Sequence, residues 1–138
     1  DYRAHTAGFR VVATVHVEAE WTHDDPVGET RWLETVAAEH GLPSACVAQA
    51  WFGRADIADV LAAQAASPLV RGIRQKPRAA PSPAQARRGE AGSMDDPVWR
   101  KGYALMERHG LSYDLQTPWW HLDAAADLAA DFPRTPLI

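Results

Sequence analysis

At 138 residues, with 46% hydrophobic and 23% charged residues, the chain has the size and composition of one ordinary globular domain. Its formal net charge of −4 offers no general attraction for nucleic acid or for an anionic membrane surface, so we expect neither as a partner. No segment approaches the roughly 20 apolar residues that span a bilayer. The single cysteine, Cys46, excludes an internal disulfide and favours a reducing, cytoplasmic compartment.

The first half of the chain alternates between strand and helix patterns. Residues 11–19 (VVATVHVEA) are rich in β-branched side chains and predict a buried strand. Residues 28–40 predict a helix, which Gly41 ends from a position that favours a left-handed conformation. Residues 45–52 (ACVAQAWF) predict the second strand, and Asp56 has the position of an N-cap for the next helix.

The second half repeats this alternation around one long loop. Residues 70–75 predict a third strand, and residues 76–94 follow it with prolines, charges and no apolar period, which is typical of a loop. Asp96 and Pro97 have the positions of the N-cap and the first residue of a helix. In chain order, we predict a helix over residues 96–110, a strand over 111–117, a helix over 120–131 and a fifth strand from Thr135.

Five strands separated by four helices indicate an α/β protein with a parallel sheet and right-handed crossovers. The strands begin on average 31 residues apart, and eight such units would make about 250 residues, the usual size of a (β/α)8 TIM barrel. Five units in 138 residues also suit a doubly wound open sheet. Because the chain ends inside an apolar run, we expect a single domain, residues 1–138, that forms about five consecutive βα units of a TIM barrel.

Several ordered blocks of the sequence carry a family resemblance. They are VVATVHVEAEW, DPVGETRWLE, PLVRGIRQ, DPVWRKGYALMERHGLSYDLQT and LAADFPRTPLI. With these blocks the chain resembles the amidohydrolase-related family of TIM-barrel hydrolases, which includes 2-pyrone-4,6-dicarboxylate lactonase and L-fuconolactone hydrolase. The resemblance implies hydrolysis of a small lactone or a related cyclic carboxylated compound, so the expected partner is a small-molecule substrate.

Two features of the family pattern have no counterpart in the chain. Barrels of the family carry a His-x-His pair at the end of the first strand, whereas this chain has His16-Val17-Glu18 on what would be the second. The family pattern also continues beyond Ile138 into a strand that ends in a functional histidine. We therefore expect a central fragment that is inactive alone. A divalent metal such as zinc is left open.

Polar residues at the carboxyl ends of barrel strands are the candidates for chemistry, because barrel active sites lie at that end. The first strand places His16, Glu18 and Glu20 on one face. We predict Glu18 as a catalytic residue and His16 as a substrate contact. The alternative is that neighbouring polar groups of the barrel satisfy both side chains.

The third and fourth strands add a cation and a carboxylate. Gly72, on the same face as Arg74, indicates a close backbone approach or a small interior site. We predict that Arg74 binds a substrate carboxylate or lactone oxygen through two parallel donors. The alternative is an ion pair with Asp114 or Glu18. We predict Asp114 as a catalytic general base whose partner is Arg74 or a histidine, because a lone buried carboxylate is too costly.

The segment after the fourth strand supplies the last candidates. Gln116 shares a face with Asp114, and we predict that it contacts substrate. Trp119, Trp120 and His121 follow where barrel loops meet substrate. Aromatic side chains there either wall a ring-shaped substrate, which we predict for Trp119, or fasten the next helix to the barrel, which is favoured for Trp120.

Two other classes of function, a decarboxylase and a binding module, are compatible with the same order of elements. A related barrel could catalyse decarboxylation. An open five-stranded sheet could be a flavodoxin-like or receiver-like binding module, but no phosphate-binding loop follows the first strand, and the third strand ends in Arg74-Gln75 where a receiver needs an aspartate. A homo-oligomer is left open.

Overall fold

The computed structural model describes residues 2–138. Its α-helices are α1 (Tyr2–His5), α2 (Gly28–His40), α3 (Ile57–Ala66), α4 (Pro97–Tyr103) and α5 (Leu122–Asp131). Its strands are β1 (Val15–Val17), β2 (Ala45–Gln49), β3 (Val70–Gln75) and β4 (Ser112–Leu115). Short 3-10 helices cover Pro83–Gln85, Ala104–His109 and Trp119–His121. Within residues 2–138, no helix is both long enough and apolar enough to cross a membrane.

The strands are all parallel and lie side by side in chain order, β1-β2-β3-β4. After α5 the chain returns to the other edge of β4, where Leu137 forms a parallel bridge with Tyr113. There the Tyr113 N–H donates to the Pro136 carbonyl at 2.8 Å. A fifth strand therefore begins beside β4. Consecutive order is that of a barrel arc, whereas doubly wound sheets reverse their order at a switch point. The α/β fold with part of a TIM barrel is confirmed.

The strand register sorts the side chains into two faces. The face that packs against the helices carries the lateral row Ala48, Ile73 and Tyr113. The opposite face carries the row Val47, Gly72 and Ser112. One step nearer the carboxyl ends, this face carries the row Gln49, Arg74 and Asp114. The polar row thus lies toward the end of the sheet at which barrel enzymes hold their substrates.

Aromatic rings fill the space between the sheet and the helices. Phe52 lies edge-on to Trp99 and Tyr103, with ring centroids 5.0 and 5.4 Å apart, a favoured arrangement of two π-systems. Tyr113 joins them from β4 and is fully buried, and its hydroxyl donates to a backbone carbonyl of β3. Gly102 lets α4 approach this cluster, because a Cβ there would lie 2.8 Å from the Phe52 carbonyl carbon.

The strands are shorter than their composition predicts. β1 covers Val15–Val17 instead of residues 11–19, and Val12 is 84% exposed. Among the described strands, β1 pairs with β2 alone, so β1 is an edge strand without hydrogen bonds to a strand on its other side. β2 ends at Gln49 rather than residue 52. Composition favours extended backbone, but cross-strand pairing sets where a strand stops.

Three predicted capping residues can be compared with the helix ends. Gly41 has a φ of 72° and donates its N–H back into α2, as predicted. Asp96 accepts a hydrogen bond of 2.8 Å from a backbone N–H of α4, as predicted. Asp56 occupies the N-cap position of α3, as predicted, but its carboxylate accepts from Arg54 and caps no helix N–H. The helix predicted over residues 96–110 is α4 followed by a 3-10 segment.

The long loop of residues 76–94 is fastened to the end of the sheet. Its Ala80 N–H donates to His121 Nε2 at 2.9 Å, and Trp120 Nε1 donates to the Ala80 carbonyl at 3.1 Å. Ala80 is buried as a result. Trp120 and His121 therefore hold the loop, a role that differs from the predicted attachment of the next helix.

Candidate functional site

A small cavity of about 160 Å³, here called the strand-end cavity, opens where β1, β2 and β3 reach their carboxyl ends. Its lining consists of Glu18, Glu20, Gln49, Ala50, Trp51, Arg74, Gln75 and Lys76. A larger, mostly apolar groove of about 490 Å³ lies between α1, β1 and α2, away from these strand ends. Charged and amide groups converge in the smaller one at the carboxyl ends of parallel strands, where barrel active sites lie, so the strand-end cavity is the candidate site.

Glu18 and Arg74 form the central contact of this cavity. Arg74 Nε donates to Glu18 Oε1 at 2.7 Å, and Arg74 Nη2 donates to the Glu18 backbone carbonyl at 2.8 Å. Glu18 is 4% exposed, whereas the Arg74 side chain retains 25% exposure. Within residues 2–138, no partner binds Arg74 Nη1. The carboxylate thus fixes the guanidinium in one orientation and leaves donors free.

The sequence left open whether Arg74 pairs with Asp114 or with Glu18, and the structure shows the pair with Glu18. Arg74 and Asp114 are paired in register on neighbouring strands, yet the guanidinium reaches across β2 to Glu18 instead. The contact of Asp114 is with Ser112 Oγ, which donates to Oδ1 at 3.4 Å. The expected partner of Asp114, Arg74 or a histidine, is therefore wrong. Asp114 is only half-buried, so water can solvate its carboxylate.

Gly72 allows a close approach of β4 on this face of the sheet, which is the first of the two alternatives that its sequence position predicts. A Cβ at Gly72 would lie 3.0 Å from the Ser112 backbone oxygen and 3.4 Å from Asp114 Oδ1. The first distance is tighter than ordinary packing allows. A side chain at Gly72 would therefore displace Ser112, on which the position of Asp114 depends.

The rim of the cavity carries a second ion pair, between Lys76 Nζ and Glu20 Oε1. The hydrogen bond and charge of Lys76 hold the pKa of the Glu20 carboxyl below its usual range. Glu20 has a φ of 56°, and its backbone N–H donates to Glu18 Oε2 at 2.8 Å. The turn after β1 therefore folds back onto Glu18, so both oxygens of that buried carboxylate are occupied.

His16 lies apart from the strand-end cavity. Its Nε2 is 2.8 Å from Oε1 of Glu29 on α2, and the same oxygen accepts from the Ala19 N–H at 3.0 Å. His16 is paired in register with Cys46, which packs in the core on the helix side of the sheet, so His16 faces α2. Strict alternation would place Glu18 on that same side, but the regular strand ends at Val17, and Glu18 turns to the opposite face. Glu29 was not predicted as a functional residue; it is buried in the first turn of α2, where its carboxylate needs a partner.

Gln116 and Trp119 lie beyond the end of β4, and both are exposed. Trp119 is 69% exposed, and its ring contacts Trp120 edge-on at a centroid distance of 5.7 Å. The structure does not bring either residue into the lining of the strand-end cavity. Their predicted contacts with substrate stay predictions.

Gln49 is a cavity residue that the sequence analysis did not select. It ends β2 opposite Arg74 and is 4% exposed, and its side-chain Nε2 has no hydrogen-bond partner within the described chain. Its position was visible in the sequence as a polar residue inside the apolar segment ACVAQAWF. The signal was missed because an isolated glutamine in a strand has no characteristic spacing.

The acidic, histidine and cysteine side chains present do not form a metal site by themselves. In residues 2–138, no three or more His, Cys, Asp or Glu side chains are grouped closely enough to hold an ion. Cys46 is 1% exposed, and burial raises the pKa of its thiol to about 12. Its side chain therefore packs as a neutral apolar group.

Comparison with known proteins identifies a family and one relative that resemble this chain. The model of the amidohydrolase family matches residues 1–138. An uncharacterized protein of Sinorhizobium fredii, y4mH, is 35% identical over 138 residues, which are 100% of this chain and 46% of that protein. The chain thus spans about half the length of this relative. No solved structure matches the chain.

Proposed function

This chain belongs to the amidohydrolase family, and we propose that the protein is a hydrolase that opens a small lactone carrying a carboxylate. The observation that carries the proposal is the Glu18–Arg74 pair in the strand-end cavity. A volume of about 160 Å³ accommodates a compact ring.

Arg74 binds the substrate carboxylate in this proposal. Glu18 occupies Nε and one hydrogen of Nη2, and the free donors of Nη1 and Nη2 form a planar pair suited to two carboxylate oxygens. Glu18 acts as a positioning residue because both of its oxygens are engaged. It holds the guanidinium before substrate arrives, so binding requires less loss of side-chain freedom.

Asp114 serves as the general base of the proposed reaction. It takes a proton from a water molecule while the water oxygen adds to the lactone carbonyl carbon. The bond between that carbon and the ring oxygen then breaks, and the proton passes from Asp114 to the ring oxygen. The product is an open-chain hydroxy acid, whose new carboxyl group releases a proton near neutral pH.

The remaining predicted residues have peripheral roles in this proposal. Trp119 and Gln116 follow β4, where an exposed indole and amide form an outer wall for the ring. His16 supports the turn after β1 through Glu29, which also accepts from the Ala19 N–H. A divalent metal would need ligands additional to those within residues 2–138, so no step is assigned to one.

Two lactones that differ in one carboxylate test the proposal in the full-length protein. We expect hydrolysis of 5-oxotetrahydrofuran-2-carboxylate, followed as base uptake at constant pH, to exceed that of γ-butyrolactone. Asp114→Asn should lower the rate by roughly a hundred-fold or more, because an amide cannot take the proton. Asp123→Asn, which alters an exposed carboxylate of α5, is the matched control. Equal rates for Asp114→Asn and wild type, or no hydrolysis of either lactone, would contradict the proposal.

A further inference from the structure

We infer that Gln49 is a substrate-binding residue whose side-chain amide donates a hydrogen bond to the acyl oxygen of the lactone. The inference rests on the proposed function and deepens it, because it assigns the group that orients the reacting carbonyl. Arg74 would hold one end of the substrate by its charge, and Gln49 would hold the other by a neutral donor.

The side chain of Gln49 is buried without a partner. The residue is 4% exposed, and its Nε2 makes no hydrogen bond to any group of residues 2–138. A buried donor without an acceptor loses its water and gains nothing in return. Such a group is retained in a fold either because nothing else fits or because a ligand supplies the missing acceptor.

Gln49 also lies at the right place to meet a ligand. Its Cα is paired with that of Arg74, and both side chains line the strand-end cavity. Other buried polar atoms without partners include Trp99 Nε1 and Tyr103 Oη. Those two lie within the aromatic cluster between sheet and helices, outside the lining of the strand-end cavity. Gln49 alone among these three lines a space in which a small molecule fits.

A second buried glutamine, Gln64, has hydrogen-bond partners within the chain for its whole side-chain amide. Gln64 of α3 is fully buried, and its Oε1 accepts from Thr30 Oγ1 at 2.6 Å. Its Nε2 donates to the Pro26 carbonyl at 3.0 Å and to the backbone carbonyl of Gln49 at 2.9 Å. Gln64 therefore joins three segments of the chain. The side chain of Gln49 joins none.

The chemistry suits the carbonyl oxygen of an ester. Negative charge grows on that oxygen as water adds to the carbon, so a fixed donor stabilises the transition state more than the ground state. A neutral amide does this without attracting the substrate carboxylate, which would otherwise compete for the same place. Arg74 and Gln49 together thus orient the substrate along the row of strand-end residues that Asp114 continues on β4.

The test compares Gln49→Met with Gln64→Met, since methionine has nearly the same length and no hydrogen-bonding amide. We expect Gln49→Met to melt at or above the wild-type temperature, because it removes an unpaired buried donor. Gln64→Met should melt well below it. For 5-oxotetrahydrofuran-2-carboxylate, kcat/KM should fall by roughly ten-fold or more in Gln49→Met, mainly through kcat.

A second measurement follows binding in place of turnover. Titration of the Asp114→Asn protein, in which hydrolysis should be slow, with the same lactone should shift the side-chain NH2 resonances of Gln49 and leave those of Gln64 in place. A melting temperature for Gln49→Met lowered as far as that of Gln64→Met would overturn the inference, as would unchanged kcat/KM. If wild type hydrolyses neither lactone, the proposed function fails. Gln49 then stands as a ligand-binding residue only if its resonances shift with the lactone, and unshifted resonances overturn it.

Discussion

The two faces of the sheet use their buried side chains in opposite ways. Toward the helices, Phe52 and its aromatic neighbours make close ring contacts, and Gln64 has all its partners within the chain. At the strand ends of the other face, Arg74 keeps free donors and Gln49 has none of its donors bound. The first region stabilises the fold through its ring contacts, although Trp99 Nε1 and Tyr103 Oη lack partners there, and the second retains unpaired groups that line a cavity. Stability and substrate binding should therefore respond to different substitutions.

Phe52→Ala should have the largest effect on stability. Phe52 is 1% exposed and touches several rings, so its loss leaves a large void and should lower the free energy of unfolding by about 3–5 kcal/mol. The matched control is Trp119→Ala, since that ring is 69% exposed and surface substitutions stay within about 0.5 kcal/mol. Urea denaturation measures both. Similar losses for the two variants would remove the distinction between core and strand ends.

Glu18→Gln should have an intermediate effect. The variant keeps the shape of the side chain but leaves Arg74 without its charged partner. We expect a loss of about 1–3 kcal/mol, less than for a fully buried pair, because Arg74 is 25% exposed and water screens it. Glu20→Gln breaks the pair with Lys76 on the rim, where both partners are exposed, and should change stability little. A Glu18→Gln protein as stable as Glu20→Gln would show that the buried pair contributes nothing to the fold.

Features that depend on residues near in sequence were predicted well, and features that depend on residues distant in sequence were not. The order of strands and helices, Gly41 and Asp96 depend on local pattern, and each was predictable from residues near in sequence. The partner of Arg74 was not, because Glu18 is distant in sequence and the register would equally have allowed Asp114. Gln49 was missed because burial without a partner is a property of the folded structure. His16 and Glu18 were assigned to one face because alternation was assumed to continue beyond Val17, where β1 ends and Glu18 turns to the opposite face.

Asp96→Ala should produce a smaller loss on the helix side of the molecule. Loss of the cap on α4 should cost about 1 kcal/mol, and Asp96→Asn should cost less because its amide oxygen still accepts. Backbone N–H groups of Gly92 and Val98 lower the pKa of Asp96 below 3.8. Its contribution is therefore present above that pH and is lost as the pH falls through the lower folded-state pKa. Denaturation curves of wild type and Asp96→Ala should converge in acid, and a constant difference would contradict this origin.

The smallest expected effect concerns the thiol of Cys46. Burial, with lesser help from the charges of Glu29 and Glu18, raises its pKa to about 12, so almost no thiolate exists in the folded protein at mildly alkaline pH. Alkylation by iodoacetamide should be slow in native buffer and rapid in denaturant. The raised pKa also means that the contribution of this thiol to the free energy of unfolding is constant below pH 9.0, the ordinary value, and declines above it toward 12. Rapid alkylation of the native protein would show that this part of the core opens.

The substrate preference of Arg74 variants tests the central claim most directly. We expect Arg74→Ala to lower kcat/KM for 5-oxotetrahydrofuran-2-carboxylate by roughly ten- to hundred-fold and to leave any hydrolysis of γ-butyrolactone nearly unchanged. Arg74→Lys should restore only part of the loss, because an ammonium group cannot form two parallel hydrogen bonds. Arg71→Ala, an exposed arginine on the same strand, is the control. A folded Arg74→Ala protein that keeps the wild-type preference for the carboxylated lactone would contradict the assignment of the strand-end cavity as the substrate site.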